Sequence, residues 1–138
     1  MKKAFLFPGQ GSQFIGMGKE LADEFDAARD VFSEVDDALG ERLSNLMFKG
    51  DIEELTLTKN AQPAIMAVSI AIIRVMLSCG LDLKKINLFA GHSLGEYSAL
   101  CASGVISLKD TAIILRKRGM AMQKAVPEGE GSMIAVIG

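Results

Sequence analysis

Ile86-Asn87-Leu88-Phe89-Ala90-Gly91-His92-Ser93-Leu94-Gly95-Glu96-Tyr97-Ser98-Ala99-Leu100-Cys101-Ala102-Ser103 reads as strand, turn and helix in immediate succession. The apolar run Ile86 to Ala90 has the length of a strand, and Glu96 to Ser103 has the composition of a helix. Between them, Gly91-His92-Ser93-Leu94-Gly95 matches the G-x-S-x-G pattern in which a sharp turn lifts a serine oxygen clear of the backbone. The N-terminus of the following helix offers free N–H groups to a developing negative charge. Three fixed small residues arise by chance in a chain of this size only about once in twenty. The strand and helix on either side make a plain glycine-rich turn the weaker explanation.

Outward from the turn, the chain alternates between the two periods. Lys3 to Phe7 reads as a buried strand, followed by a glycine-rich loop over Pro8 to Gln13. Glu20 to Leu39 has helical spacing, with Phe25, Ala28, Phe32 and Val35 on one face, and Gly40 ends it. Arg42 to Phe48 fits a short helix closed by Gly50-Asp51. Asn60 is a candidate cap for the next helix, with Pro63 in its first turn and Gly80 stopping it after Cys79. Gly104 ends the helix after the turn. Ser107 and Asp110 then form a capping-box-like pair for a helix from Leu108 to about Val126. Pro127 to Ser132 is turn-rich, and Met133 to Ile137 begins a fresh strand. Repeats and low-complexity segments are absent. The alternation predicts an α/β fold with a parallel sheet. A strand that opens at the last residues fits the N-terminal part of a longer protein.

The 138 residues, 49% of them hydrophobic, suffice for one domain with a sizeable core. A net charge of −2 gives no electrostatic footprint for nucleic acid or an anionic membrane. Tryptophan is absent and aromatics are 6%, which leaves little for base stacking. One histidine and two cysteines without C-x-x-C spacing cannot assemble a zinc set, so no metal is expected. Cys79 and Cys101 fall in apolar helical stretches and read as buried free thiols in a reducing, cytoplasmic setting. The apolar part of Met1 to Phe7 is too short for a signal peptide. The apolar stretch Ala64 to Leu77 contains Arg74, falls short of a membrane span and reads as a core helix.

Other residues complete a candidate site. The glycines of Pro8-Gly9-Gln10-Gly11-Ser12-Gln13 allow close approach to a ligand, and a loop after a neighbouring strand is a usual source of a second oxyanion N–H. It is not a phosphate loop: Phe14 holds the place of the third glycine of G-x-G-x-x-G, and no Gly-Lys-Ser/Thr follows. At about 100° per residue, Arg118 falls amid the apolar face of the last helix with Thr111, Ile114, Leu115, Gly119, Ala121, Met122 and Ala125. Arg116, Lys117, Gln123 and Lys124 lie on the other side. An inward arginine needs an anionic partner. An internal Asp or Glu and a substrate carboxylate both satisfy the pattern. His92 diverges from its neighbour Ser93 and is poorly placed as its base, which suits a structural or wall role.

Phe7-Pro8-Gly9-Gln10-Gly11-Ser12-Gln13, Asn60-Ala61-Gln62-Pro63-Ala64, Gly91 to Leu100 and Arg118-Gly119 together closely resemble malonyl-CoA:acyl-carrier-protein transacylases, in order along the whole chain. The resemblance covers roughly the N-terminal half of that family's domain. It implies an α/β-hydrolase-like acyltransferase core over residues 1–131, cut off at the start of a ferredoxin-like subdomain over 132–138. It implies Ser93 as the nucleophile, the backbone N–H groups of Gln10 and Leu94 as the oxyanion hole, and Arg118 as the grip on the malonyl carboxylate. Gln62 would line the site and help to hold the catalytic groups. The family's catalytic histidine lies well downstream, and no residue here corresponds to it. Malonyl-CoA would be the substrate and acyl carrier protein the acceptor, in fatty acid biosynthesis, with ping-pong kinetics and no cofactor. Two other readings stand beside it: a serine esterase sharing the elbow, and a non-catalytic half-domain that binds a carrier protein. A core edge left open by the missing half would favour self-association.

Overall fold

The computed structural model describes residues 2–126, 129–131 and 136. In chain order the elements are β1 (Ala4–Phe7), α1 (Lys19–Glu24), α2 (Asp26–Leu39), α3 (Leu43–Lys49), α4 (Ile52–Thr56), α5 (Thr58–Ser78), a 3₁₀ turn (Leu83–Lys85), β2 (Leu88–Gly91), α6 (Leu94–Ala102) and α7 (Leu108–Ala125). The two strands pair in parallel, with Ala4 opposite Leu88 and Phe7 opposite Gly91. A parallel pair needs a crossover, here the five helices α1 to α5. The strand expected over 133–137, and with it the subdomain boundary at 132, lies outside the described residues but for Val136.

α5 is the core helix. It packs against α2, α6 and α7 and buries Ala64, Ile65, Met66, Ala67, Ile70 and Ala71 among others. By length and composition alone it would span a membrane, yet its burial is that of a helix surrounded by protein. α6 lies against both strands, so the helix after the elbow also roofs the sheet.

Several expectations need correction. The helix over 20–39 is two helices, broken where Phe25 is extended at φ −124° and ψ 122°. Arg29 makes the break cheap by donating to the carbonyls of Ala22 (2.5 Å) and Asp23 (3.2 Å), orphaned at the end of α1. Asn60 does not cap α5, which starts earlier, at Thr58. Its amide instead donates back to the backbone oxygen of Glu54 (2.8 Å) and to that residue's Oε1 (3.0 Å), tying α5 to the end of α4. Pro63 accordingly sits in the second turn. In β1 only Phe7 is buried, and Leu6 is 78% exposed. β2 flanks one edge and α6 covers one face, while Phe5, Leu6, Phe14 and Ile72 line an open apolar groove of about 300 Å³ between β1 and α5. Cys79 is exposed because α5 ends beside it, and Cys101 is half-buried; both are free thiols. Burial pushes the Cys101 thiol up from its ordinary value, partly offset by a hydrogen bond with Thr111.

The cap of α7 is as expected. The Asp110 N–H donates to Ser107 Oγ at 3.0 Å, and that hydroxyl donates to Asp110 Oδ2 at 2.7 Å.

Candidate active site

Ser93 stands between β2 and α6 with φ 55° and ψ −114°, the one non-glycine residue at positive φ among the described residues. A side chain in that region is strained, and the surrounding packing must hold it there. Two glycines allow it. A Cβ on Gly91 would collide with the carbonyl group of Gly95, and one on Gly95 would run into the Phe7 carbonyl oxygen. The first turn of α6 is thus pressed onto the end of β2 on one side and the end of β1 on the other. Only residues without a Cβ allow that approach.

The same crowding brings the loop after β1 to the elbow. A Cβ on Gly9 would lie 3.0 Å from His92 Nδ1 and 3.1 Å from the His92 carbonyl oxygen. Ser12 Oγ donates to the Gly9 carbonyl (2.9 Å), the Gly11 N–H donates to Gln13 Oε1 (2.9 Å), and Gln10 Nε2 donates to Thr58 Oγ1 (3.2 Å). The loop is pinned to itself, to the elbow and to the start of α5. Among the described residues, neither the Gln10 N–H nor the Leu94 N–H donates a hydrogen bond. Two free N–H groups, one of them at the positive end of α6, suit a developing oxyanion.

Arg118 reaches the elbow from α7. It donates through Nη1 to Gln62 Oε1 at 2.7 Å and through Nη2 to Ser93 Oγ at 3.0 Å. Its Cζ lies 5.6 Å from the centre of the Tyr97 ring. Gly119 makes this possible. A Cβ there would stand 2.6 Å from Lys59 Cα and from the Thr58 carbonyl oxygen, so α7 crosses the start of α5 at backbone contact. Gln62 is fully buried, and its Nε2 donates to Met122 Sδ at 3.3 Å. A thioether only accepts and a guanidinium only donates, so the amide can face only one way. Of the two partners that the sequence left open for Arg118, no internal carboxylate pairs with it among the described residues.

The structure therefore brings together Ser93, Leu94, Gln62 and Arg118, with the Gln10 loop alongside. His92 makes no bond to Ser93 among the described residues; it packs against Gly9, as a wall. Arg116 is a correction. Expected on the outer side of α7, its side chain is only 15% exposed. It donates to Asn60 Oδ1 and pairs with Glu41, and burial pulls its guanidinium down from its ordinary value. The reason is that α7 is packed by α2, α5 and α6 together, so its buried surface is not a single stripe. Ile114, Ala121 and Ala125 are exposed, and Ala112, outside the expected face, is buried. Tyr97 and Met122 were not singled out from the sequence. Each sits four residues beyond a site residue, Ser93 and Arg118 respectively, and that helical spacing was the available signal.

A serine held at positive φ in a strand–turn–helix elbow, contacted by a guanidinium without a carboxylate partner among the described residues, is an arrangement suited to acyl transfer. The model of a family described as "Acyl transferase domain" matches residues 4–137, and the chain belongs to that family. The malonyl CoA-acyl carrier protein transacylase of Bacillus subtilis (strain 168) is 56% identical over 137 residues, covering 99% of this chain and 42% of its own length. The crystal structure of an acyl-carrier-protein-S-malonyltransferase from Bartonella henselae superposes with a TM-score of 0.90 at 65% identity, covering 91% of this chain and 40% of that one. A malonyl-transacylase in complex with its type II PKS acyl-carrier protein superposes at 0.87 with 46% identity, covering 94% of this chain and 41% of that one. The chain spans about two-fifths of the length of the relatives that it matches.

Proposed function

We propose that this chain is the nucleophile-bearing part of a malonyl-CoA:acyl-carrier-protein transacylase, acting in the cytoplasm in fatty acid biosynthesis. Ser93 Oγ attacks the thioester carbon of malonyl-CoA, and the carbonyl oxygen becomes an oxyanion held by the N–H groups of Gln10 and Leu94. The C–S bond breaks, and coenzyme A leaves as a thiol with the proton taken from Ser93. The phosphopantetheine thiol of acyl carrier protein then attacks the malonyl-serine ester. The C–O bond breaks, and the proton returns to Ser93 Oγ. The proton shuttle is a base that the described residues do not supply, in keeping with the downstream histidine implied by the resemblance. Malonyl-CoA enters as substrate, and the ester chemistry asks for no further cofactor.

The observation that carries this reading is the Arg118 guanidinium, donated to Ser93 Oγ itself and lacking a carboxylate partner among the described residues. A free cation at the nucleophile fits an acyl group with its own carboxylate. An esterase for neutral esters has no use for it. The test is intact mass after incubation with malonyl-CoA, on this chain and on a chimera in which it replaces the matched segment of the B. subtilis relative. An adduct of malonyl mass on the chimera, absent in Ser93→Ala, is expected. Labelling that persists in Ser93→Ala at another residue overturns the assignment.

A further inference from the structure

An arginine side chain is long, and two hydrogen bonds along one edge still leave its plane free to tilt. A third contact of Arg118 bears on that freedom: its Cζ lies 5.6 Å from the Tyr97 ring centre, inside the range of about 6 Å in which a ring face attracts a cation. Tyr97 stands four residues after Ser93, one helical turn along α6, so the turn that displays the nucleophile also displays the ring. The Tyr97 hydroxyl forms no hydrogen bond among the described residues, so the ring face is what Tyr97 offers here. We propose that Tyr97 is a positioning residue, the platform that holds the Arg118 guanidinium in the plane from which it meets the carboxylate of an acyl group on Ser93.

The proposal rests on the functional reading above. Gln62 fixes the edge of the guanidinium and Tyr97 fixes its plane, so a carboxylate meets two N–H donors already aimed. An acyl group without a carboxylate gains nothing from this. Tyr97 therefore bears on the choice between acids and neutral acyl groups rather than on the acylation step.

The test compares Tyr97→Leu and Tyr97→Phe in the same chimera, with malonyl-CoA and acetyl-CoA as donors. Tyr97→Leu is expected to raise the KM for malonyl-CoA about threefold to tenfold, with kcat and acetyl transfer within about twofold. Tyr97→Phe, which keeps the ring and loses the hydroxyl, is expected to behave as the unsubstituted protein. Equal losses for malonyl and acetyl, or a Tyr97→Phe variant as impaired as Tyr97→Leu, overturn the proposal. A second readout needs no turnover: the rate at which phenylglyoxal modifies Arg118 in the 138-residue chain, followed by peptide mass. Faster modification in Tyr97→Leu than in Tyr97→Phe is expected, and equal rates overturn the proposal. Tyr97→Met replaces the leucine variant if that one does not fold. A chimera that loads acetyl but never malonyl sinks the functional reading, while the phenylglyoxal rates still decide whether the ring holds the guanidinium.

Discussion

Arg116 and Arg118 leave the same helix two positions apart and meet opposite surroundings. The first is neutralised by the chain itself: Glu41 pairs with it and Asn60 Oδ1 accepts from it, and Asn60 in turn is tied to Glu54. Among the described residues the second meets neutral groups alone: an amide oxygen, a hydroxyl and a ring face. Arg116 closes a junction between α7, the start of α5 and the segment after α2. Arg118 keeps its charge free of a carboxylate, among the described residues, beside Ser93. A buried or half-buried cation is thus informative less through its position than through what neutralises it.

Three substitutions sharpen or break this contrast. The largest effect is expected from Arg118→Ala in the transacylase chimera. Malonyl transfer should fall about a hundredfold, since hydrogen bonds to charged groups are worth about 1.5–3 kcal/mol each and 1.4 kcal/mol is tenfold. Acetyl transfer should be spared. Steady-state kinetics with both donors check this, and equal losses would make Arg118 a structural residue like its neighbour.

Arg116→Ala should do the reverse. It leaves Asn60 Oδ1 in a buried place without its donor, at a cost of about 2 kcal/mol. Little of that comes from Glu41, whose carboxylate is half exposed and screened. Urea titration of the 138-residue chain should show a lower midpoint, while the malonyl-to-acetyl ratio of the chimera stays put. A changed ratio would mean that the two junctions are one.

The smallest effect is expected at Ser98, a buried polar group whose Oγ has no partner among the described residues. Ser98→Ala should raise stability by about 1 kcal/mol, from relieved desolvation and better helix propensity. A lower urea midpoint would show that the hydroxyl has a hidden partner.

The elbow was legible in the sequence because its causes are local. Gly91 is required by backbone approach to Gly95 within one turn, and the strand and helix beside them are continuous in the chain; what requires Gly95 is the distant approach of Phe7 and Pro8, and there only the G-x-S-x-G pattern marked it. The inward direction of Arg118 was legible for the same reason, as a matter of helical period. Its partners were not, because Gln62 is 56 residues away and Ser93 is 25. Arg116 was misread because period alone assumes one buried face, whereas α7 has neighbours on several sides. The break at Phe25 escaped because the hydrophobic spacing runs through it, and the carbonyls that it frees are met by Arg29 from the next helix. α4 is five residues long, capped by Asp51 Oδ1 accepting from the Glu53 and Glu54 N–H groups, and too short for any period to register. Cys79 and β1 were expected inside because apolar composition was equated with burial, a rule that holds only where a neighbour arrives to cover the surface.

The pairing of β1 with β2 sets the order in which this molecule can come to life. Lys3 and Asn87 are hydrogen-bonded across 84 positions of chain, and Gly95 seats its helix against Phe7 and Pro8. The strained backbone of Ser93 has no support until those distant stretches have met. Contacts of such long range form late and slowly, because the loop must be closed before they stabilise anything. A nascent or half-folded chain lacks what holds Ser93 in its elbow conformation. The elbow takes its shape only once the fold is complete, so any chemistry of Ser93 waits on contacts made between residues 84 positions apart.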